Sequence, residues 1–188
     1  MTVRGRALGI AESYADPERS TVAGAIVRTD RALDGLAFSS ISVGGTDSTE
    51  RFVSLWGTLD REDVRYVLVA GVAPAWFNVV DLPRLAETVE RPVVAVSFEE
   101  SEGLEPALRE AFSGDALDER LDTYERLPER RRVDLNGETV YVRGAGIDAA
   151  AAAEVVRAFT PEGGRPEPLR VARLAARAAD AFRHTDGL

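Results

Sequence analysis

The sequence predicts an α/β domain built on a mixed sheet in the order 3-2-1-4-5, flanked by helices, with a more helical second half carrying a small hairpin. Three observations carry that expectation. Three strand-like segments follow one another before any helical pattern begins. Two helix-then-strand units come next, and after about residue 100 the apolar spacing is mostly helical.

Residues 6–12 read as the first strand, and residues 20–28, rich in β-branched side chains, as the second. Residues 32–43 alternate Leu33, Gly35, Ala37, Ile41 and Val43 and form the third, irregular near Ser39 and Ser40. Asp30-Arg31 leaves room only for a hairpin between the second and third. Gly44 and Gly45 then break the strand, and Thr46 or Asp47 can cap a helix whose apolar face is Phe52, Val53, Leu55, Trp56 and Leu59. The almost unbroken apolar run 64–72 has the length and composition of a central strand covered on both faces. Asp81 is placed to cap a further helix with Pro83 in its first turn and Leu82, Leu85, Ala86 and Val89 facing inward. Residues 92–97 supply another buried strand. Right-handed crossovers between neighbouring elements then give the sheet order stated above, the ribonuclease-H-like arrangement.

In the second half, residues 104–112 and 117–127 are amphipathic helices. Residues 130–133 and 139–142 flank Asn136-Gly137 as a hairpin. Asp148 opens an alanine-rich helix to Phe159, Gly163-Gly164 breaks it, and Pro166 leads into a last helix ending near Phe182. There is no internal repeat or low-complexity linker, and the length of 188 residues suits one domain over 1–188.

Composition restricts the chemistry. Cysteine is absent and His184 is the single histidine, so no thiolate site, disulfide, His-based triad or multi-histidine metal site can be built. What remains is carboxylate or hydroxyl chemistry, or none. No apolar run approaches the roughly 18 residues of a membrane span. The start lacks the apolar stretch of a signal peptide, so a cytoplasmic location is expected. Acidic residues number 32 against 23 basic ones, every basic residue is arginine, and the net charge is −9. A lysine-free, acidic, alanine-rich chain fits a halophile, whose carboxylates keep the surface hydrated. In dilute salt such a charge argues against nucleic acid, because affinity comes from neutralising phosphates. In molar salt that term is largely screened and the argument lapses.

A sheet of this order sets the carboxyl ends of its first and fourth strands side by side. Two or three carboxylates there can hold Mg²⁺ or Mn²⁺ for phosphodiester hydrolysis, since hard cations want oxygen ligands. The positions in question are near Ala11, near Asp47 or Glu50, and near Ala70. Two of them are alanines.

Arg6-Ala-Leu-Gly-Ile10, Gly44-Gly-Thr-Asp-Ser-Thr49, Gly71 with Trp76-Phe-Asn-Val-Val-Asp81, and Pro166-Glu-Pro-Leu-Arg-Val-Ala172 together resemble the archaeal endonuclease dU family, itself similar in fold to endonuclease V. The resemblance spans nearly the whole chain. It implies a metal-dependent endonuclease, using Mg²⁺ or Mn²⁺, that nicks DNA near deoxyuridine during repair. In members with that pattern Gly-Ile is followed by two aspartates, where this chain has Ala11 and Glu12. The aspartates expected before Gly71 and before Gly45 are Ala70 and Gly44, whereas Asp47, Asn78 and Asp81 match.

The surviving metal or catalytic candidates are therefore Glu12 and Asp47, with Asp81 as a further ligand. A strand's pleat sends Glu12 to the face opposite Ala11, from which its longer side chain would have to reach back. Asp47 and Asp81 also read as helix caps, and Glu50 as a capping-box partner. Trp76, Phe77 and Asn78 follow the fourth strand in a loop that could stack a base; the two rings could equally pack beneath the next helix. Arg131, within Arg130-Arg131-Arg132, is a candidate phosphate contact or a counterion for Glu125 and Glu129. Arg170, Arg173 and Arg177 are expected in surface ion pairs. Three functions follow: a DNA-binding nuclease relative with weak or altered cleavage, a non-catalytic binding or regulatory module on the same fold, or a small-molecule binder with an alanine-lined pocket.

Overall fold

A computed structural model describes residues 3–185. Its strands are β1 (Arg6–Ser13), β2 (Arg19–Arg28), β3 (Leu33–Ser42), β4 (Val64–Ala70), β5 (Val93–Ser97), β6 (Arg131–Leu135) and β7 (Glu138–Ala145). The helical segments are α1 (Ser48–Leu59), the single turn α2 (Pro74–Phe77), α3 (Leu82–Val89), α4 (Glu105–Ala111), α5 (Asp115–Glu125), α6 (Ala149–Ala158) and α7 (Glu167–Thr185). One sheet runs β3-β2-β1-β4-β5-β7-β6. The expected order 3-2-1-4-5 is present, with β1–β2 and β2–β3 antiparallel and β1–β4 and β4–β5 parallel. The 131–145 hairpin is not an appendage of a helical half, as its place in the sequence suggested. It joins the sheet antiparallel to β5 and covers an edge that would otherwise offer unpaired backbone groups.

Two helical layers cover the sheet. Leu8, Ile10, Val67 and Val69 point toward Phe52, Leu55, Leu82 and Leu85 of α1 and α3, in the core that α4 and α5 complete. Ala7, Leu68, Val94 and Val96 point the other way, toward Val155 and Val156 of α6, Phe159 just after it and Leu169 at the start of α7. The pleat sorts alternate residues to opposite faces and both faces are covered, which is why the centres of β1 (residues 7–11) and β4 (residues 66–70) read as continuous apolar runs. Gly9 sets how closely α7 approaches β1: a Cβ at that position would lie 2.2 Å from the Pro168 carbonyl oxygen. Two of the sequence motifs, around Gly9 and around Pro168, are thus the two halves of one contact. Among the described residues no helix is long and apolar enough to cross a membrane.

Candidate functional site at the carboxyl end of the sheet

The carboxyl ends of β1 and β4 lie side by side, with Ile10 paired to Val69. Ala11 and Ala70 come one residue later and both turn toward α7. There they pack with Ala25, Val27 and Ala172, and Ala11 is only 4% exposed. Where a metal centre would need converging oxygens, the chain has packed methyl groups. Glu12 points to the opposite face, as the pleat dictates, and accepts a hydrogen bond from the Ser20 hydroxyl. Among the described residues no three His, Asp or Glu side chains lie close enough together to hold a metal ion. The residues present do not fit a divalent cation at this strand end.

The opposite face at the same end is polar and strained. After Gly71 the chain makes the turn α2, in which Ala75, Trp76 and Phe77 have φ of 48°, 56° and 63°. Three consecutive side-chain-bearing residues in the left-handed region are costly, at roughly 1–2 kcal/mol each. The turn persists because it is held from below. Gly44 N–H donates to Ala75 O at 2.7 Å, and the Trp76 ring lies so close over Gly44 that a Cβ there would be 2.8 Å from it. Arg120, only 5% exposed, reaches up from α5 and donates to Phe77 O (3.3 Å), Gly45 O (3.2 Å) and Gly44 O (2.5 Å), while stacking over Phe112 at 3.9 Å. Burial pushes its guanidinium below the ordinary arginine pKa, with Glu119 acting in the other direction.

Asn78 and Asp47 complete this support. The Asn78 amide donates to Ser42 O (2.9 Å) and Asp47 Oδ1 (2.8 Å) and accepts from Ser48 N–H (3.0 Å). Asn78 is fully buried, so it is a strut of the turn and not the nucleic-acid contact expected from its place in the loop. Asp47 occupies the N-cap position of α1, yet its side chain makes no cap bond there. It accepts from Ser42 N–H (3.0 Å) and the Ser42 hydroxyl (3.2 Å), with Arg19 and Arg51 each 3.8 Å away. Partial burial works against its charge. The hydrogen bonds from the Ser42 N–H, the Asn78 amide and the Ser42 hydroxyl outweigh that burial and hold its carboxyl below the usual range.

Asp81 does cap its helix, accepting from Arg84 N–H at 3.1 Å, and pairs with Arg126 at 3.0 Å. Glu50 pairs with Arg84 at 2.7 Å instead of closing a capping box. The three surviving acids, Glu12, Asp47 and Asp81, thus each have separate partners. Phe77 packs against the core that includes Leu82 and Leu85 of α3, whereas Trp76 stays at the surface. They cluster with Phe112, at centroid distances of 5.2 and 6.1 Å, and Trp76 remains 50% exposed. Arg131 sits on the far edge strand β6, paired with Glu129 at 2.6 Å, with β7, β5 and β4 between it and β1. Arg170 pairs with Glu167, whereas Arg173 and Arg177 are in no ion pair among the described residues. Arg120 escaped sequence reading. Its one signal was an arginine at a position of α5 beside the apolar Leu121, and only the fold shows that it is buried.

The sequence profile of the family described as endonuclease dU matches residues 4–180. The chain is 34% identical over 183 residues to a UPF0215 protein of Pyrobaculum aerophilum, covering 96% of this chain and 97% of that one. It is 33% identical over 177 residues to a UPF0215 protein of Methanothermobacter thermautotrophicus, covering 91% and 85%. Among solved structures, a protein of unknown function from Archaeoglobus fulgidus superposes with a TM-score of 0.82 at 26% identity, covering 93% of this chain and 98% of that one. Human endonuclease V superposes at 0.66 with 16% identity, covering 96% and 86%. Endonuclease V of Ciona intestinalis, in complex with a DNA containing inosine, superposes at 0.68 with 12%, covering 97% and 88%. These last two likenesses establish the fold.

Proposed function

Because the chain belongs to the endonuclease dU family, we propose that it uses a nuclease fold to bind DNA through the Trp76 turn, as a binding module without a metal-dependent cleavage site of its own. The observation that carries this reading is the packing of Ala11 and Ala70 beneath Ala172. Alanine offers no oxygen to Mg²⁺ or Mn²⁺, and α7 fills the space such an ion would need. The turn supports the binding half of the reading. A half-exposed indole held in a strained, braced conformation is pre-organised to stack on a base, an interaction worth about 1–3 kcal/mol. The arginine-only, strongly acidic composition favours a working environment of concentrated cytoplasmic salt.

The test is a pair of measurements in roughly molar KCl, where phosphate attraction is screened. Fluorescence anisotropy with labelled single-stranded and duplex DNA, with and without deoxyuridine, should show binding that Trp76→Ala weakens. Incubation of the same deoxyuridine duplex with Mg²⁺ or Mn²⁺ should leave it intact. Nicking by the wild-type protein that Glu12→Ala abolishes would overturn the proposal and point to a centre rebuilt on Glu12, Asp47 and Asp81. Mn²⁺-dependent nicking gained only in the Ala11→Asp/Ala70→Asp variant would show a nuclease frame whose acids have been replaced.

A further inference from the structure

A second site lies beyond the turn, where β4, β5 and β7 end against α5 and the 98–104 loop. A cavity of about 260 Å³ opens there, floored by Val72, Ala73, Ala95 and Leu104 and walled by Tyr124, Tyr141, Arg130 and Arg143; Glu99, whose carboxylate pairs with neither arginine, lines it as well. In a chain with a net charge of −9, neither arginine has a carboxylate within 4.0 Å among the described residues. Their neighbours Arg131 and Arg132 are both neutralised, by Glu129 and Asp134. Protein carbonyls position the two guanidiniums. Arg143 donates to Pro128 O (2.5 Å) and weakly to the Tyr124 hydroxyl (3.4 Å), and Arg130 donates to Ser101 O (2.8 Å) and Glu99 O. Arg130 also stacks over Tyr141 at 3.8 Å, and Arg143 lies 5.5 Å from the Tyr124 ring. A guanidinium carries five N–H donors, so each keeps several with no protein acceptor.

Burial pushes Arg143 below the ordinary arginine pKa, and the charge of Arg130 acts in the same direction, against a favourable contribution from Tyr124. Two like charges facing one partly buried space repel each other, and this adds to the desolvation that burial imposes on Arg143. A bound anion would relieve both. The fork of a guanidinium matches the oxygen spacing of a phosphate, and two forks together suit a doubly charged group better than a singly charged one.

We propose that this cavity is a phosphomonoester site, in which Arg130 and Arg143 clamp the phosphate and the apolar floor takes the group that carries it. The volume admits one small phosphate ester and excludes a duplex. Two sources share that chemistry, a free mononucleotide and the 5′-phosphorylated end of a DNA strand. The inference stands on the arginine pair and does not depend on how the Trp76 turn is used.

Isothermal titration of the whole protein with inorganic phosphate, a nucleoside 5′-monophosphate and matched oligonucleotides with 5′-phosphate or 5′-hydroxyl ends tests it. Phosphate and the monophosphate should bind at one site, and Arg130→Met and Arg143→Met should each weaken binding at least tenfold. Preference for the 5′-phosphorylated strand over both its 5′-hydroxyl twin and the mononucleotide identifies a strand end. The reverse order identifies a free metabolite. Thermal unfolding of the wild type in phosphate against chloride of equal ionic strength gives a readout should either variant fail to fold, with a phosphate-dependent rise in Tm expected. No heat and no rise with any phosphomonoester, or binding unchanged in the folded variants, would overturn the assignment.

Discussion

At the carboxyl end of this sheet the two faces differ in kind. On the α7 face, small apolar residues from β1, β2, β4 and α7 are packed without a polar atom among their side chains. On the α1 face, a left-handed turn is held by a buried arginine, a buried asparagine and a half-buried aspartate, and it keeps an indole in solvent. One face spends its residues on close packing and the other on holding a costly conformation. Strain that the surrounding structure works to maintain is a sign of use, whereas close packing of alanines is a sign of closure.

Substitutions on each face can break or sharpen that contrast. The largest effect is expected at Gly9→Ala, where the added methyl meets backbone atoms of Pro168 that no rotamer change can move. Denaturant unfolding should show a loss of about 3 kcal/mol; a loss below 1 kcal/mol would mean α7 is free to lift off, and the closed face would not be closed. Arg120→Met should cost about 2 kcal/mol, because it leaves the carbonyls of Gly44, Gly45 and Phe77 without their donor. In a Trp56→Phe background the same change should shift Trp76 emission, since the turn loses its brace. An unchanged spectrum would show that Asn78 and Gly44 suffice.

Trp76 allows strain and function to be separated. Trp76→Gly and Trp76→Ala both remove the ring, but only glycine relaxes a φ of 56°. The glycine variant should therefore be the more stable of the two by about 1 kcal/mol, while both lose DNA affinity by roughly tenfold, near the low end of a stacking contribution. Equal stabilities would remove the case for a strained turn.

The smallest effect is a pH dependence. The hydrogen bonds to Asp47 favour its ionised form, so its folded pKa lies below the ordinary 3.8. Its contribution to stability is complete above that ordinary value and is lost as pH falls through the lower folded one. Wild-type stability should therefore drop from about pH 4 downward, and Asp47→Asn should be less stable at neutral pH with a shallower acid limb. Parallel acid limbs would mean that Asp47 does not hold the turn.

Most of the fold was legible because its signals are local. Runs such as 66–70 and 93–96 are apolar, the helices carry apolar faces at helical spacing, and Asp81 and Asp148 stand where caps belong. The loss of acids at Ala11 and Ala70 was legible too, since an alanine cannot ligate in any fold. Asp47 misled because its spacing before α1 is that of a cap, while its bonds run to Ser42 and to Asn78, which is 31 residues away. Asn78 misled because a polar residue in a loop looks exposed, and here it is sealed under the turn. The hairpin's place at the edge of β5 could not be read either, because Asn136-Gly137 specifies a turn and says nothing about which strand the hairpin joins.

The sequence by itself determined the order of strands and helices, the family, the absence of thiol and histidine chemistry, and the missing acids at the strand ends, because each depends on residue type or on neighbours along the chain. The tertiary structure alone decided that Ala11 and Ala70 meet under Ala172, that Arg120 braces a turn more than 40 residues away, and that Arg130 and Arg143 share a cavity with no ion pair of their own among the described residues. Those contacts join residues far apart in sequence. Their energies arise from burial, and burial is set only when the sheet has closed and the helices have packed on it.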